Sequence, residues 1–367
     1  MSHMSARLIE LAGYGWDAAF AAAFEDLSGQ DLIPARVIKQ SRDLSTVVTA
    51  AGELDAEVSG RFRHRAQGPA DFPAVGDWAA VRLVAGGPAL IESLLPRRSA
   101  FTRKAAGEAV EAQVVAANVD TVFLVSGLDG DFNLRRIERY LTAAWSSGAA
   151  PVVVLNKSDL RTDLAAVAAE ASAVAPGVPV VAVQAVAEGG LEALRPFLQP
   201  GRTVAFLGSS GVGKSTMINR LLGEDRFTTA AVSDAEAGRG RHTTTGRELV
   251  RLPGGALLVD TPGMRELGLW ADDDGLDRTF DEIDALAAGC RFPDCGHERE
   301  PGCAVRAAVE SGAVEASRWQ SYLKLRRELR FLELKKDEKS RRQHEKASGR
   351  DFAARLKEIK KHKLRYR

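Results

Sequence analysis

The sequence contains few cysteines, few aromatic residues and no long apolar run. Its 367 residues include three cysteines, all between positions 290 and 303, and only 6% of the residues are aromatic. Three clustered cysteines exclude a disulfide framework and indicate a metal site. No run reaches the roughly 18 to 20 apolar residues of a membrane helix, and the first residues lack the basic-then-apolar pattern of a secretory signal. We therefore expect a cytoplasmic protein that does not bind membranes.

The rest of the composition is that of an ordinary globular protein. Apolar residues make up 45% of the chain and charged residues 27%, and the length predicts two or three domains. Charge is uneven, because residues 321–367 contain eighteen lysines and arginines against seven acidic residues, although the formal net charge is +1. Such a basic segment is typical of proteins that bind nucleic acid, with a solvated helix face as the alternative.

Residues 32–104 contain short runs rich in Val, Ile and Thr, separated by Gly, Pro and Asp. This pattern predicts a small β-barrel, and we expect an OB-fold. Phe62 and Phe101 lie among basic residues, which suits stacking and backbone contact on RNA, with ordinary surface charge as the alternative. The basic residues are Arg61, Arg63, Arg65, Arg97, Arg98, Arg103 and Lys104.

The periodicity of the sequence changes after residue 117. A buried strand at residues 121–126, a helical pattern at 132–145 and a strand at 151–156 predict a βαβ unit of a parallel sheet. The sequence therefore predicts a multidomain protein. The predicted parts are an N-terminal extension (1–31), the barrel (32–104), a central α/β domain (105–274), a mostly α-helical zinc-binding domain (275–347) and a basic tail (348–367).

A glycine-rich segment, Gly-Ser-Ser-Gly-Val-Gly-Lys-Ser at residues 208–215, ends a predicted strand and begins a predicted helix. Backbone N–H groups of such a phosphate loop wrap the phosphates of a nucleotide. Lys214 is expected at the β- and γ-phosphates, and Ser215 at a Mg²⁺ ion. The residues expected to contact the nucleotide here are Gly208, Ser209, Ser210, Gly211, Val212, Gly213, Lys214, Ser215 and Thr216.

A second motif, Asn156-Lys157-Ser158-Asp159, follows the strand at residues 151–156. The Asp159 carboxylate can accept two hydrogen bonds from guanine, whereas adenine offers no amine at that position. Asn156 is expected to brace the loops, and the stem of Lys157 to lie over the base. The motif therefore predicts GTP and GDP as ligands.

The order of these two motifs is reversed relative to an ordinary GTPase, in which the phosphate loop comes first. A GTP site needs the two elements to be adjacent in space, but not in a given order along the chain. The central domain is therefore predicted to be a circularly permuted P-loop GTPase domain, and the protein an enzyme that converts GTP to GDP and phosphate.

A third motif, Asp260-Thr261-Pro262-Gly263, ends a later strand. Asp260 is placed to hold Mg²⁺ through water, and the amide of Gly263 to sense the γ-phosphate. Met264 follows, where many GTPases carry the glutamine that positions the attacking water. Because a thioether cannot orient water, we expect slow intrinsic hydrolysis.

Residues 238–246, Gly-Arg-Gly-Arg-His-Thr-Thr-Thr-Gly, lie where a switch that senses the γ-phosphate must fall. A threonine hydroxyl there can complete the Mg²⁺ shell, and we favour Thr244, with Thr243 and Thr245 left open. His242 is the nearby titratable group. It is interpreted either as a catalytic residue, together with Lys214 and Thr244, or as a phosphate or RNA contact.

Four potential metal ligands lie within fourteen residues, in the pattern C-x4-C-x-H-x5-C. Three thiolates and one imidazole match a closed, tetrahedral, structural Zn²⁺ site. The spacing differs from that of DNA-reading fingers, so we expect a scaffold role. The ligands are Cys290, Cys295, His297 and Cys303.

In combination, these motifs resemble the RsgA (YjeQ) family of circularly permuted GTPases over about residues 32–330. The segments that carry the resemblance are LDGDFNLRRIERYLTAA, NKSD, GSSGVGKST, GRGRHTTT, DTPGM and the Cys/His cluster. The resemblance implies an OB-fold, a permuted GTPase core and a zinc domain that act in late maturation of the small (30S) ribosomal subunit. It also implies that the subunit stimulates hydrolysis. Because the chain passes from the Asp260-Thr261-Pro262-Gly263 motif almost directly into the zinc domain, we expect nucleotide state to tilt that domain, so that the protein binds 16S rRNA in the GTP state and is released on hydrolysis.

One position departs from the family pattern. Gln184 precedes Ala185 where the family usually has Ser-Ala, but the Ala185 amide can still contact the guanine carbonyl. Two other functions stay open from the residues alone. They are a permuted GTPase that acts on another RNA, such as the large-subunit precursor or a tRNA, and a passive, nucleotide-gated RNA-binding checkpoint. A monomer is the expected state.

Overall fold

The first part of the chain forms a closed five-stranded barrel. The computed structural model describes residues 11–27, 31–41, 44–104, 112–226, 247–260 and 272–335. The first elements are α1 (Ala18–Glu25), β1 (Ile33–Gln40), β2 (Ser45–Thr49), β3 (Gly52–Val58), α2 (Gly60–Arg65), β4 (Trp78–Arg82) and β5 (Ala89–Leu94). The strands pair in the closed order β1-β2-β3-β5-β4-β1, with β3 and β5 parallel and the other neighbours antiparallel. This order fits the predicted OB-fold.

Both aromatic residues that the sequence suggested for RNA stacking are buried. Phe62 of α2 is 8% exposed and packs inside the barrel, and Phe101 is 2% exposed in the neighbouring core. Their assignment to RNA stacking was wrong, because apolar packing takes both rings out of reach of a base. The arginines beside Phe62 on α2 remain exposed.

The central part is a parallel sheet flanked by helices. Its elements are β6 (Ala100–Lys104), β7 (Ala112–Ala117), β8 (Thr121–Gly127), α3 (Leu134–Ser147), β9 (Ala150–Asn156), α4 (Leu164–Ala173), β10 (Val180–Ala182), β11 (Thr203–Gly208), α5 (Lys214–Leu222), β12 (Arg247–Arg251) and β13 (Leu257–Asp260). The sheet order is β10-β9-β8-β11-β13-β12, parallel up to β13 and antiparallel at β12, while β6 and β7 form a separate ribbon. The sequences of such strands are continuous apolar runs, because both faces of the sheet are buried.

Strand β12 joins the central sheet to the barrel. It pairs with β1 through Lys39 opposite Glu248 and Gln40 opposite Arg247, so that one sheet of eleven strands runs through both parts. β12 directly follows the predicted switch at residues 238–246, which lies outside the described residues. The barrel is therefore attached to the strand that follows the predicted switch in the sequence.

The last part of the described chain is helical, as predicted. It contains α6 (Asp273–Thr279), α7 (Asp281–Ala287), α8 (Ala304–Glu310) and α9 (residues 316–335), which share one apolar core around Phe280, Ile283 and Leu325. The predicted continuation of the last helix to residue 347 lies outside the described residues. Among the described helices, none combines the length and the apolar character needed to cross a bilayer.

Arg36 of β1 lies where the barrel meets the central sheet. It is 1% exposed and donates hydrogen bonds to the carbonyls of Gly76 (3.2 Å), Asn118 (3.3 Å) and Tyr14, and to the Thr203 hydroxyl (2.9 Å). Burial lowers the pKa of Arg36 to about 10, so the side chain stays protonated at neutral pH. One cation thus links the barrel, the N-terminal segment and the strand that leads to the phosphate loop.

We expect Arg36→Met to lower the free energy of unfolding by about 2 to 4 kcal/mol, because buried acceptors lose their donor. Urea denaturation followed by circular dichroism measures this change. Arg202→Met is the control, since Arg202 is 61% exposed and pairs with Asp120 at the surface, where a loss under about 1 kcal/mol is expected. Equal losses in the two variants would contradict the central role of Arg36.

Candidate nucleotide site and metal centre

The phosphate loop leaves β11 at Gly208 and enters α5 at Lys214. Gly213 has a φ of +98°, and a Cβ there would lie 2.2 Å from Nδ2 of Asn156, so a larger residue does not fit. The buried Lys214 ammonium donates to the carbonyl oxygens of Gly208 (2.6 Å) and Ser209. The cation therefore lies within the curve of the loop, where nucleotide phosphates are expected.

The other predicted residues of the loop take positions from its tip to the first turn of α5. Ser210 and Gly211 are exposed and Val212 is buried, while Ser215 and Thr216 are half-buried at the start of α5. An exposed tip above a buried lysine leaves the loop accessible to a ligand from solvent.

Asn156, at the end of β9, joins three segments of the chain. Its Nδ2 donates to the carbonyl of Val212 (2.8 Å), and its Oδ1 accepts from the backbone N–H of Ala185 (3.1 Å). The side chain therefore braces the phosphate loop against the segment after β10. The Ala185 amide that we expect at the guanine carbonyl is engaged by Asn156 here, so its contact with guanine stays a prediction.

Lys157 lies beside Asn156 but contacts a different part of the phosphate loop. With a φ of +62°, it donates from Nζ to the carbonyl of Gly211 (3.0 Å) and to the carboxylate of Asp129. The hydrogen bond from Lys157 lowers the pKa of Asp129. Asp159, two residues further on, is exposed on the short helix at residues 158–160.

The loop between β8 and α3 is a part of the site to which the sequence motifs assigned no role. Its Asp129 holds Lys157, and its Asp131 accepts a hydrogen bond from Arg136 of α3. Arg136 also donates from Nη1 to the Ser209 hydroxyl at 2.7 Å. The two carboxylates stand two residues apart directly after a buried strand, at the sheet edge where parallel strands place ligands. That spacing is the sequence signal that could have identified them.

Some predicted groups of the magnesium and switch region can be located, and others cannot. Asp260 ends β13 and is buried, next to β11 and the phosphate loop. A hydroxyl from Ser215 and this carboxylate are the hard oxygen donors that fit Mg²⁺. The residues that lie outside the described residues are His242, Thr243, Thr244, Thr245, Gly263 and Met264.

The four predicted zinc ligands meet at one point. Their ligand atoms all lie within 4.8 Å of one another. The Cys290 and Cys303 sulfurs are 3.8 Å apart, and Nδ1 of His297 is 3.4 Å and 3.5 Å from them. Tetrahedral Zn²⁺ with ordinary bond lengths requires about 3.8 Å between sulfurs and about 3.6 Å between sulfur and nitrogen. The arrangement fits such an ion.

The chain around the cluster holds the ligands in place. His297 has a φ of +59° and is 6% exposed, and burial lowers its pKa, which favours the neutral imidazole that binds metal. Glu300 accepts hydrogen bonds from the backbone N–H groups of Arg299, Gly296 and Glu298 at 2.9 to 3.0 Å. These bonds, that from Arg299 first, lower the pKa of Glu300 to about 2. The turn between the ligands is thus fixed by its own carboxylate.

The fold and the site together define a circularly permuted GTPase. β9, which ends in the base-reading motif, precedes the phosphate loop in the chain but lies only one strand away from β11 in the sheet, with β8 between them. The family model described as RsgA GTPase matches residues 94–270. A curated relative from Opitutus terrae, "Small ribosomal subunit biogenesis GTPase RsgA", is 54% identical over 328 residues, which is 87% of this chain and 89% of the relative. The chain therefore belongs to the RsgA GTPase family.

Solved structures agree with this assignment. YjeQ from Thermotoga maritima is similar with a TM-score of 0.61 and 28% identity, covering 81% of this chain and 98% of that one. YloQ, described as a circularly permuted GTPase, is similar in fold with a TM-score of 0.59 and 21% identity, covering 83% of this chain and 96% of that one. The predicted family and the predicted GTPase activity are confirmed.

Proposed function

We propose that this GTPase acts in late maturation of the small ribosomal subunit, binds its rRNA while GTP is bound and leaves after hydrolysis. The name of the Opitutus relative supports the subunit as partner. The observation that carries the proposal is the sheet that continues from β12 into β1. Because β12 follows the predicted switch, a change in nucleotide state would act directly on a barrel strand.

The barrel offers a basic surface for RNA on α2. Arg61, Arg63 and Arg65 are exposed, and none of them forms an ion pair with another described residue. Arg97 and Arg98 have other roles, because Arg97 pairs with the buried Asp77 and Arg98 with Asp17. Contact with RNA phosphates is therefore proposed for α2, with an OB-fold as its scaffold.

The chemistry at the phosphates is proposed as follows. Lys214 and the amides of the phosphate loop hold the phosphates, and Asn156 fixes this loop relative to the base site. Mg²⁺, when held by Ser215 and Asp260, would neutralise charge on the β- and γ-phosphates. His242 and Thr244 are the proposed groups at the attacking water, since Met264 cannot orient it.

Zn²⁺ is proposed as a structural ion held by the three cysteines and His297. All four protein ligands are used, which leaves no open position for chemistry. The proposed state is a cytoplasmic monomer that exchanges GTP and GDP. The cluster then serves to present the C-terminal helices to RNA.

We expect purified small subunits to raise the GTP turnover of this protein at least about tenfold, while large subunits and tRNA leave it unchanged. Phosphate release under multiple turnover measures this effect, with ATP as the nucleotide control. Equal stimulation by large subunits or tRNA would assign the protein to another RNA. Tight GTP binding without stimulation by any RNA would leave a passive, nucleotide-gated clamp.

A further inference from the structure

Helix α3 lies between the phosphate loop and the C-terminal helices. Near its start, Arg136 donates to the Ser209 hydroxyl at 2.7 Å. One turn later, Arg139 contacts both carboxylate oxygens of Glu328 on α9 at 2.7 Å. The two arginine side chains are similarly exposed, at 36% and 33%. One helix therefore carries two matched arginines that contact two different parts of the protein.

Arg136 is held in place by Asp131. The guanidinium donates to the Asp131 carboxylate and, at 3.3 Å, to its backbone carbonyl. The other carboxylate oxygen, Oδ2, is buried and has no hydrogen-bond partner among the described residues. Because a half-buried carboxylate with one buried oxygen is costly without a cation, Asp131 keeps Arg136 at this position.

The residue that Arg136 contacts is central to the phosphate loop. Ser209 presents its hydroxyl to Arg136 and its backbone carbonyl to the ammonium of Lys214. A movement of Arg136 would therefore also displace Ser209, the residue whose carbonyl faces Lys214 in the phosphate site. Ser209 therefore links α3 to the proposed phosphate site.

The C-terminal helices contact α3 on the opposite side of the helix. Arg318 of α9 donates to Glu138 of α3 (3.0 Å), to the Thr279 carbonyl (2.9 Å) and to Glu282 (3.0 Å). Glu138 is fully buried. A Cβ at Gly275 of α6 would lie 2.6 Å from the carbonyl oxygen of Thr142 on α3, so the backbones of the two helices approach closely. α3 cannot shift without α6 and α9.

We propose that Arg136 is a positioning residue for the phosphate loop and that the C-terminal helices set its place through α3. Met264 stands where a glutamine would position water, so the site depends on other groups for alignment. A partner that tilts the C-terminal helices would move α3, and with it Arg136 and Ser209. This second half rests on the proposed function, because the small subunit is the partner expected to move those helices.

Arg136→Met and Arg139→Met test the first half as a matched pair. We expect Arg136→Met to raise the KM for GTP and to lower kcat by about tenfold each, and Arg139→Met to leave unstimulated turnover as in the wild type. Arg136→Lys should recover part of the loss, because its ammonium can reach one of the two acceptors. Turnover and KM within twofold of the wild type in Arg136→Met would overturn this half.

A double-mutant cycle distinguishes positioning from general support of the fold. If Arg136 acts through Ser209, the double variant Arg136→Met/Ser209→Ala is no more impaired than the worse single variant. Multiplying effects would show that Arg136 acts independently of Ser209 and would overturn its role.

The variant Ser317→Ala/Glu328→Gln tests the second half, because these two α9 residues accept hydrogen bonds from Arg135 and Arg139 of α3 at 2.7 Å. We expect about a tenfold loss of stimulation by small subunits, with unchanged unstimulated turnover and unchanged co-sedimentation with the subunit. Full stimulation in this variant would overturn the second half alone. No stimulation of the wild type would overturn the proposed function and this half together, while the Arg136 and Ser209 measurements would stand on their own.

Discussion

Asp159→Asn is expected to exchange guanine for xanthine as the preferred base. The carboxylate of Asp159 is proposed to accept two hydrogen bonds from guanine. In the asparagine variant, one carboxylate oxygen is replaced by an NH₂ group, which faces an N–H donor of guanine and cannot form a hydrogen bond with it. The loss of two hydrogen bonds to a charged group is about 3 to 6 kcal/mol, or roughly 10²- to 10⁴-fold in GTP affinity. Xanthine carries a carbonyl in place of the amine, so the asparagine amide can donate to it.

Fluorescent GDP and XDP titrations measure this exchange in the same protein. Asp163→Asn is the control, since Asp163 is also an exposed carboxylate of this region and pairs with Arg161. It should bind GDP as the wild type does. GDP affinity within about threefold of the wild type in Asp159→Asn would remove Asp159 from the base site.

Cys303→Ser is expected to release zinc and destabilise the C-terminal helices. The Cys303 sulfur is one of the four proposed zinc ligands, accepts a hydrogen bond from the N–H of Arg306 at the start of α8, and lies 6% exposed in the shared core. Serine binds Zn²⁺ far more weakly than a thiolate, so most of the metal's contribution is lost. We expect a loss of at least about 4 kcal/mol in the unfolding of this part, because metal binding is coupled to folding.

Zinc content by atomic absorption and thermal unfolding by calorimetry measure this effect. The wild type should hold one zinc per chain, and a strong chelator should reproduce the behaviour of the variant. Asp294→Asn, an exposed carboxylate within the same turn, is the control and should keep both zinc and thermal stability. A wild type purified without zinc, or a Cys303→Ser protein that unfolds at the same temperature, would contradict a structural metal.

The sequence predicted the barrel, the parallel sheet and the helical C-terminal part because their signals are local. Short Val-, Ile- and Thr-rich runs in β1 and β2 and continuous apolar runs in β8 and β9 each depend on the neighbours of a residue in the chain. The same reasoning failed for Phe62 and Phe101, since a pattern of basic and aromatic residues does not say which side of a strand or helix is buried. Packing decided that both rings lie in the core.

The sequence by itself determined the class of enzyme and the family, since the motifs for a phosphate loop, a base-reading loop and a metal cluster each consist of nearly contiguous residues. Even the permutation could be seen in the order of the motifs. Only the tertiary structure decided which residues connect these pieces. Arg136 meets Ser209 across 73 residues, and Arg36 meets Thr203 across 167. Such contacts leave no local pattern, because they depend on how helices and sheets pack.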